Sequence, residues 1–281
     1  MVNKARNFIE RSDRRGFFVL FRNWSSIILI TAFSIWGNSL PLYIISIWLI
    51  GAFQYGLGEA LVHEASHYNL FTRRSWNDRL EFLYALPFFT TISKYRELHS
   101  RHHKYFGQPQ DSKVQSYEKL GFLNARYSVF FLWFVKPIIG YAGFESQFLT
   151  HNADYNRFFD RKVLLFWMPV VSLFYWTGNL HILLLYWFVP LLWTFSSFIY
   201  WEGIDQHYGT ISGTRTNIGF LRNYFGHNIG YHHVHHICPS VPWYNLPEAH
   251  KVLCSEVTDI SHGFFDTYQQ LKTYRQLKID C

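Results

Sequence analysis

The chain has 281 residues, of which 49% are hydrophobic, 21% aromatic and only 16% charged, a composition that excludes an ordinary soluble domain and points to a membrane protein. Its mean hydropathy of -0.05 leaves about half of the chain for water-exposed structure. A formal net charge of +7 would suggest nucleic acid in a soluble protein, but membrane topology accounts for it better, so no nucleic-acid partner is expected.

Residues 1–16 are polar and basic, with Lys4, Arg6, Arg11, Arg14 and Arg15. They lack a small-residue cleavage site after an apolar core, so no cleaved signal peptide is expected. Phe17 to Trp36 is largely apolar, and Arg22 and Asn23 near its start can snorkel to the headgroups. Gly37, Asn38 and Ser39 make a turn, and Leu40 to Gly58 is a second apolar run. At about 1.5 Å rise per residue, each run can cross a hydrocarbon core of about 30 Å, so the pair predicts a transmembrane hairpin. Residues 68–162 are mixed and charged. Their one apolar stretch, Val129 to Phe144, is broken by Lys136, Pro137 and Gly140 and is expected to lie in the membrane interface. Val163 to Thr177 and Leu180 to Trp201 predict a second hairpin around Gly178 and Asn179, after which residues 202–281 are polar again. No internal repeat, low-complexity tract or linker divides the chain, so residues 1–281 are read as one domain.

The fold expected is therefore all-α: four transmembrane helices, over 17–36, 40–58, 163–177 and 180–201, with a helical cap. All 26 Lys and Arg fall in the N-terminal segment (6), the central loop (14) or the C-terminal segment (6), and the two short turns carry none. That asymmetry places both termini and the cap on the cytosolic side, of a bacterial inner membrane or of the endoplasmic reticulum. Cys238, Cys254 and Cys281 are too few and too scattered for a disulfide framework, which fits a reducing face.

That cap is rich in histidine, at about one residue in nineteen along the chain. His63 and His67 stand in HEASH, His99, His102 and His103 in HSRHH, and His232, His235 and His236 in HHVHH. Spacings of three and four place imidazoles on one helix face, within reach of a single ion. A triple at i, i+3 and i+4 can give two ligands to one ion and the third to its neighbour. Eight such histidines exceed what one ion accepts, so the count favours a dinuclear centre. His207, in DQHYG at the exit of the last span, is a ninth candidate, placed to bridge the boxes. Neutral imidazoles suit iron, copper or zinc alike.

Glu64, Glu97, Asp205 and Glu59 are candidates to orient ligand tautomers, as are His227 and Asn228. His181, His233, His151, His250 and His262 have no partner in suitable geometry. HEASH also matches the HExxH of zinc proteases, but that reading leaves both HxxHH boxes unexplained. A metal buffer or transporter would want polar residues at mid-span, and Leu40 to Gly58 and Leu180 to Trp201 offer few.

The order HEASH, HSRHH and HNIGYHHVHHICPSVPWYNLP, over about residues 50–250, resembles the membrane fatty acid desaturase superfamily. The surroundings of the third box, with Asn228, Gly230, Tyr231, Pro239, Pro242, Trp243, Leu246 and Pro247, are similar to its desaturase branch. QHYG is similar to its alkane hydroxylase branch. The resemblance implies two iron ions, with O2 as co-substrate and two electrons used to break an unactivated C–H bond. His63, His67, His99, His102, His103, His232, His235 and His236 would be ligands, and His207 the isolated extra one. It also implies a lipid or fatty acyl substrate, most simply desaturated, with hydroxylase or ketolase chemistry on a lipid, carotenoid or alkane as the alternative. An apolar tunnel lined by aromatics such as Trp76, Phe88, Phe89, Tyr95 or Trp201 would shield the chain. No haem or flavin motif occurs, so a separate electron donor is expected, a ferredoxin or a cytochrome b5 meeting the basic face.

Overall fold

The computed structural model describes residues 5–124, 126–145 and 160–280. The described chain is mostly helical. Helix α1, Asp13–Gly37, starts where Ser12 caps the Arg15 amide, and it stops at Asn38 in the left-handed region (φ 38). Helix α2, Leu40–Ser66, has proline in its first turn. It runs 27 residues, past the expected end at Gly58, so HEASH rides on the same rod as the span. A π-type turn at Gly56–Leu61 rotates the faces of this helix just before the box. In the same way α6, Leu180–His207, continues past Trp201 and ends on His207.

These three helices are long and apolar enough to cross a membrane. The fourth expected span forms α5, Arg161–Trp176, with Pro169 inside it. Its 16 residues reach about 24 Å, short of a hydrocarbon core of about 30 Å. All four helices nevertheless show an apolar outer surface: Phe21 and Trp36 on α1, Leu40 and Ile45 on α2, Leu165 and Trp176 on α5, and Leu184 and Leu192 on α6 are exposed. Such a belt suits lipid and not water. Val129 to Phe144 forms short helical turns that bury Leu132, Trp133 and Ala142 and expose Phe130, Ile138 and Ile139.

Between α2 and α6 the backbones approach closely. A Cβ on Gly51 would lie 2.0 Å from Thr194 Oγ1, and that hydroxyl donates to the Ile47 carbonyl at 2.7 Å. The core spreads from this crossing through Leu57, Leu61, Phe71, Tyr84 and Trp187.

Beyond the core, the cap comprises α3 (Ile92–Lys104), α4 (Ser112–Lys119), α7 (Phe220–Phe225), α8 (His232–Ile237), α9 (Leu246–Leu253) and α10 (Phe264–Asp280). Two short strands, β1 (Thr216–Asn217) and β2 (Ile260–Ser261), pair in parallel. The Asn217 amide also donates to Gly230 O at 2.7 Å. A Cβ at Gly230 would sit 2.4 Å from Asn217 O, so only glycine allows β1 to hold the entry to α8 this tightly. Replacing Gly51 by Val should overpack the α2–α6 crossing and cost about 1–3 kcal/mol, read as a lower melting temperature in detergent; an unchanged melting temperature would mean the helices do not meet there.

Candidate metal centre

Each box is delivered by a helix end. His63 lies in the last turn of α2 and His67 just beyond it, after Ser66 Oγ donates to His63 O at 2.6 Å. Tyr68 turns the chain away at φ 60. Arg96 of α3 donates to Ala65 O at 3.2 Å and Ser66 O at 2.9 Å. It thus satisfies the open carbonyls of α2 and fixes the second box beside the first. At the end of α6, buried Arg215 donates to Asp205 O at 2.6 Å and Tyr208 O at 3.2 Å, setting the turn that carries His207. The first and third boxes are pinned by two hydrogen bonds, from the Trp243 amide to Glu64 Oε2 at 3.0 Å and from Asn69 Nδ2 to Pro239 O at 2.8 Å.

The nine histidines singled out in the sequence come together. His63, His67, His99 and His235 form one group and His102, His207, His232 and His236 a second, each with ring nitrogens within 4.8 Å of one another. His103 joins the first group, its Nε2 lying 3.0 Å from His99 Nε2 and 3.2 Å from His235 Nε2. The HxxHH triples therefore split as their spacing allows: α3 sends His99 and His103 one way and His102 the other. From α8, His232 and His236 go to the second group and His235 to the first.

The nitrogens are arranged as donors awaiting a cation. His232 Nε2 is 2.9 Å from His207 Nε2 and 3.0 Å from His236 Nε2, and a single ring proton cannot serve both contacts. The Nδ1 of His102 faces Asp111 Oδ1 at 2.8 Å and that of His207 faces Gly213 O at 3.0 Å. Both partners only accept, so Nδ1 carries the proton and the Nε2 lone pair points inward. Both nitrogens of His63, and Nε2 of His67 and His102, are buried without a hydrogen bond. For a metal–nitrogen bond of about 2.1 Å, ligands at right angles stand about 3.0 Å apart, close to the spacings seen. The residues present thus fit a pair of metal ions.

Electrostatics agree with neutral imidazoles. Burial, reinforced by His103 and then Arg96, pushes His67 down to about 3. Burial and neighbouring His102 push His103 down to about 4, although Asp111 pulls the other way. His99, His232, His235 and His236 are lowered too, by burial first and by neighbouring histidines second. These six imidazoles are therefore ready to bind a metal at neutral pH without losing a proton.

The remaining candidates are placed elsewhere or play narrower parts. Glu64 Oε1 lies 3.6 Å from His63 Nδ1, so Glu64 both anchors Trp243 and borders a candidate ligand. Asp205 accepts from Asn217 Nδ2 at 2.9 Å and Thr267 Oγ1 at 2.7 Å, bracing β1 against α10. His227 bonds Asn23 Nδ2 at 2.9 Å, and Asn228 donates to Trp243 O at 3.2 Å; both join helices and loops away from the ligand nitrogens. Glu97 is exposed on α3, and Glu59 accepts from the Tyr95 hydroxyl. His233 turns to Thr214 Oγ1 at 2.6 Å, His250 packs on Tyr231, His181 and His262 lie away from both groups, and His151 lies outside the described residues. Of the aromatics expected to line a tunnel, Tyr95 meets a candidate ligand, its ring 5.7 Å from that of His99. Trp76 packs on Phe17 and Phe71, Phe88 and Phe89 on tryptophans of α5 and α6, and Trp201 on Trp48 and Phe264.

Sequence reasoning missed Asp111, Arg96 and Arg215. Asp111 stands one residue before α4 and also accepts from the Lys113 amide at 2.9 Å, so in sequence it reads as an ordinary helix cap.

Comparison with known proteins agrees with this geometry. Residues 38–267 match the family model described as fatty acid desaturase. The chain belongs to the fatty acid desaturase family, a membrane-bound family of di-iron oxidoreductases. It is 30% identical over 240 residues to the dihydrorhizobitoxine desaturase of Bradyrhizobium elkanii, covering 75% of this chain and 67% of that one. It is 25% identical over 234 residues to a sphingolipid delta(4)-desaturase of Drosophila melanogaster, covering 78% of this chain and 66% of that one. The chain thus spans about two thirds of the length of each of these relatives.

Asp111→Asn should weaken metal binding in the second group about tenfold to hundredfold, measured by competition with a chelator; equal affinity would show that His102 needs no orienting carboxylate. In the metal-free protein the unfolded chain takes up protons near pH 6.5, whereas His103 and His67 resist until about 4 and 3. Stability should therefore fall as pH drops from about 6.5 toward 4 and return as it rises, measured by denaturation at stepped pH.

Proposed function

We propose that this protein is an O2-dependent desaturase that holds two iron ions and introduces a double bond into a lipid or fatty acyl chain. The observation that carries this reading is the convergence of nine imidazoles as two groups, five around one position and four around the other. His63, His67, His99, His103 and His235 would hold one iron, and His102, His207, His232 and His236 the other. Bound there, the iron pair supplies the oxidising power to take hydrogen from an unactivated methylene.

The protein's own contribution is positional. Asp111 and Gly213 O keep His102 and His207 with Nε2 turned inward. Glu64 ties the first box to the loop after the third. Tyr95 packs against His99 and donates to Glu59, tying α3 to α2 beside the first group. Where the substrate chain is fixed decides which C–H bond meets the irons, and whether a second hydrogen is removed or oxygen is added instead. The absence of charge from both short turns supports four spans, α5 included, as one domain with both termini and the cap in the cytosol. Electrons would come from a separate carrier, a ferredoxin or a cytochrome b5, drawn to the basic cap.

The test is metal content and Mössbauer spectra of the detergent-purified protein and of His235→Ala, followed by lipid profiling of cells that express each. Two irons per chain, about one or none in the variant, and new double bonds lost with His235→Ala are expected. A single zinc unaffected by the substitution would overturn the reading, and new hydroxyl groups in place of double bonds would make the enzyme a hydroxylase.

A further inference from the structure

The outer surface of α7 is unlike that of α3. α3 turns Ser93, Ser100, Arg101 and Lys104 outward, as a helix facing water does. On α7 the exposed residues are Phe220, Leu221 and Tyr224, at 75%, 68% and 42%, and Ile218 just before the helix is 38% exposed. Phe220 and Tyr224, one turn apart, share a face that Leu221 borders. Their rings stack with centroids 5.7 Å apart, so these side chains form one apolar patch and are not scattered singly. In sequence the patch is hidden inside a segment, residues 202–281, that reads as polar.

The contacts of α7 fix the depth of this patch, because the helix is packed against the spans themselves. Arg22 of α1 donates from Nη2 to Tyr224 O at 3.1 Å, and its guanidinium carbon lies 4.9 Å from the centre of the Tyr224 ring. Expected from the sequence to snorkel to the headgroups, Arg22 instead holds α7. Beside it, Asn23 Nδ2 meets His227 Nε2 at 2.9 Å. Phe225 packs edge-on against Phe53 of α2, centroids 5.2 Å apart. A Cβ on Gly56 would lie 2.7 Å from Phe225 O, so glycine there lets the end of α7 rest directly on α2. On its other flank, Arg222 Nε faces Asp205 Oδ2 of α6 at 3.4 Å. α7 therefore bridges α1, α2 and α6 with its polar side inward. Arg22 lies five residues into the apolar run that begins at Phe17, about 7.5 Å along the helix, which is a depth interfacial helices reach. The neighbouring Phe18 and Phe21 of α1 are 62% and 73% exposed, and the patch on α7 continues their belt.

We propose that α7 is an interfacial helix lying in the membrane leaflet on the side of the histidines, with Phe220, Leu221 and Tyr224 in contact with lipid acyl chains. Lipid is the occupant because the exposed residues of this stretch carry no charge and run without a break into the lipid-facing surface of α1. The consequence reaches the candidate metal centre. Only residues 226–231 separate α7 from α8, so a helix held at this depth fixes the height of His232, His235 and His236 relative to the lipid, as the spans do for His63 and His207.

The test places p-benzoylphenylalanine, a photoreactive residue that bonds to C–H groups touching it, at Phe220 or at Leu221 of the full chain reconstituted in phosphatidylcholine vesicles. Leu29, 67% exposed within α1, is the lipid-facing control, and Ile211, 93% exposed in the turn beyond α6, is the control for exposure without depth. After illumination, mass spectrometry should find lipid adducts at Phe220, Leu221 and Leu29 and none at Ile211. Should one variant fail to fold, the other carries the comparison. Adducts at Leu29 without any at Phe220 or Leu221 overturn the proposal, and so do equal yields at Ile211 and Phe220, since exposure alone would then explain them. A covalent link between two protein chains at Phe220 or Leu221 would also overturn it, assigning the patch to a second copy of this chain.

Discussion

The structure depends on holding nine imidazoles with their ring nitrogens converging on two points. Without a cation, opposed nitrogens about 3 Å apart repel one another or share too few protons, and burial removes the water that would relieve them. The cluster cannot hold itself together. Its geometry has to be enforced by hydrogen bonds from outside, and the surrounding chain is arranged to do this.

The enforcement is concentrated at helix ends. α2 and α6 would each finish with unsatisfied carbonyls at the place where they deliver histidines. Arg96 and Arg215 meet those carbonyls, and in doing so each ties its helix end to another part of the cap. Arg96 brings the second box to the first. Arg215 also bonds Gln270 of α10 at 2.8 Å, so the turn after His207 is held by the C-terminal helix. Glu64 and Asn69 close the ring by reaching the loop beyond the third box. The π-type turn in α2 belongs to the same scheme. It rotates His63 and Glu59 relative to the lipid-facing half of the helix, so one rod presents an apolar face to the membrane and polar groups to the interior.

That arrangement makes the bundle's inner end polar in two layers. The upper layer is imidazole, suited to metal; the lower, built from Glu59, Tyr95, Glu202 and Arg222, contains ionisable groups where a membrane bundle normally has none. Both layers draw on α2, α3 and α6, with α8 adding three histidines to the upper one and α7 adding Arg222 to the lower.

Much of this was legible in the sequence because its signals are local. Apolar runs of about twenty residues, charge-free turns and histidines three or four apart are set by the rise and period of a helix. They identify the three long helices and all nine converging histidines, His207 among them. The splitting of each HxxHH triple between two positions follows from the same period. What remained hidden depends on residues far apart in the chain: Arg96 on Ala65, Arg215 on Asp205, and Trp243 on Glu64. Asp111 resembled a helix cap and Asp205 an orienting carboxylate, since a side chain's type does not reveal which distant atom it will face. The sequence by itself determined which residues gather and on what elements. Only the tertiary structure decided which nitrogen each imidazole turns inward and which distant atom each carboxylate meets, because those outcomes depend on hydrogen bonds between segments that meet only after folding.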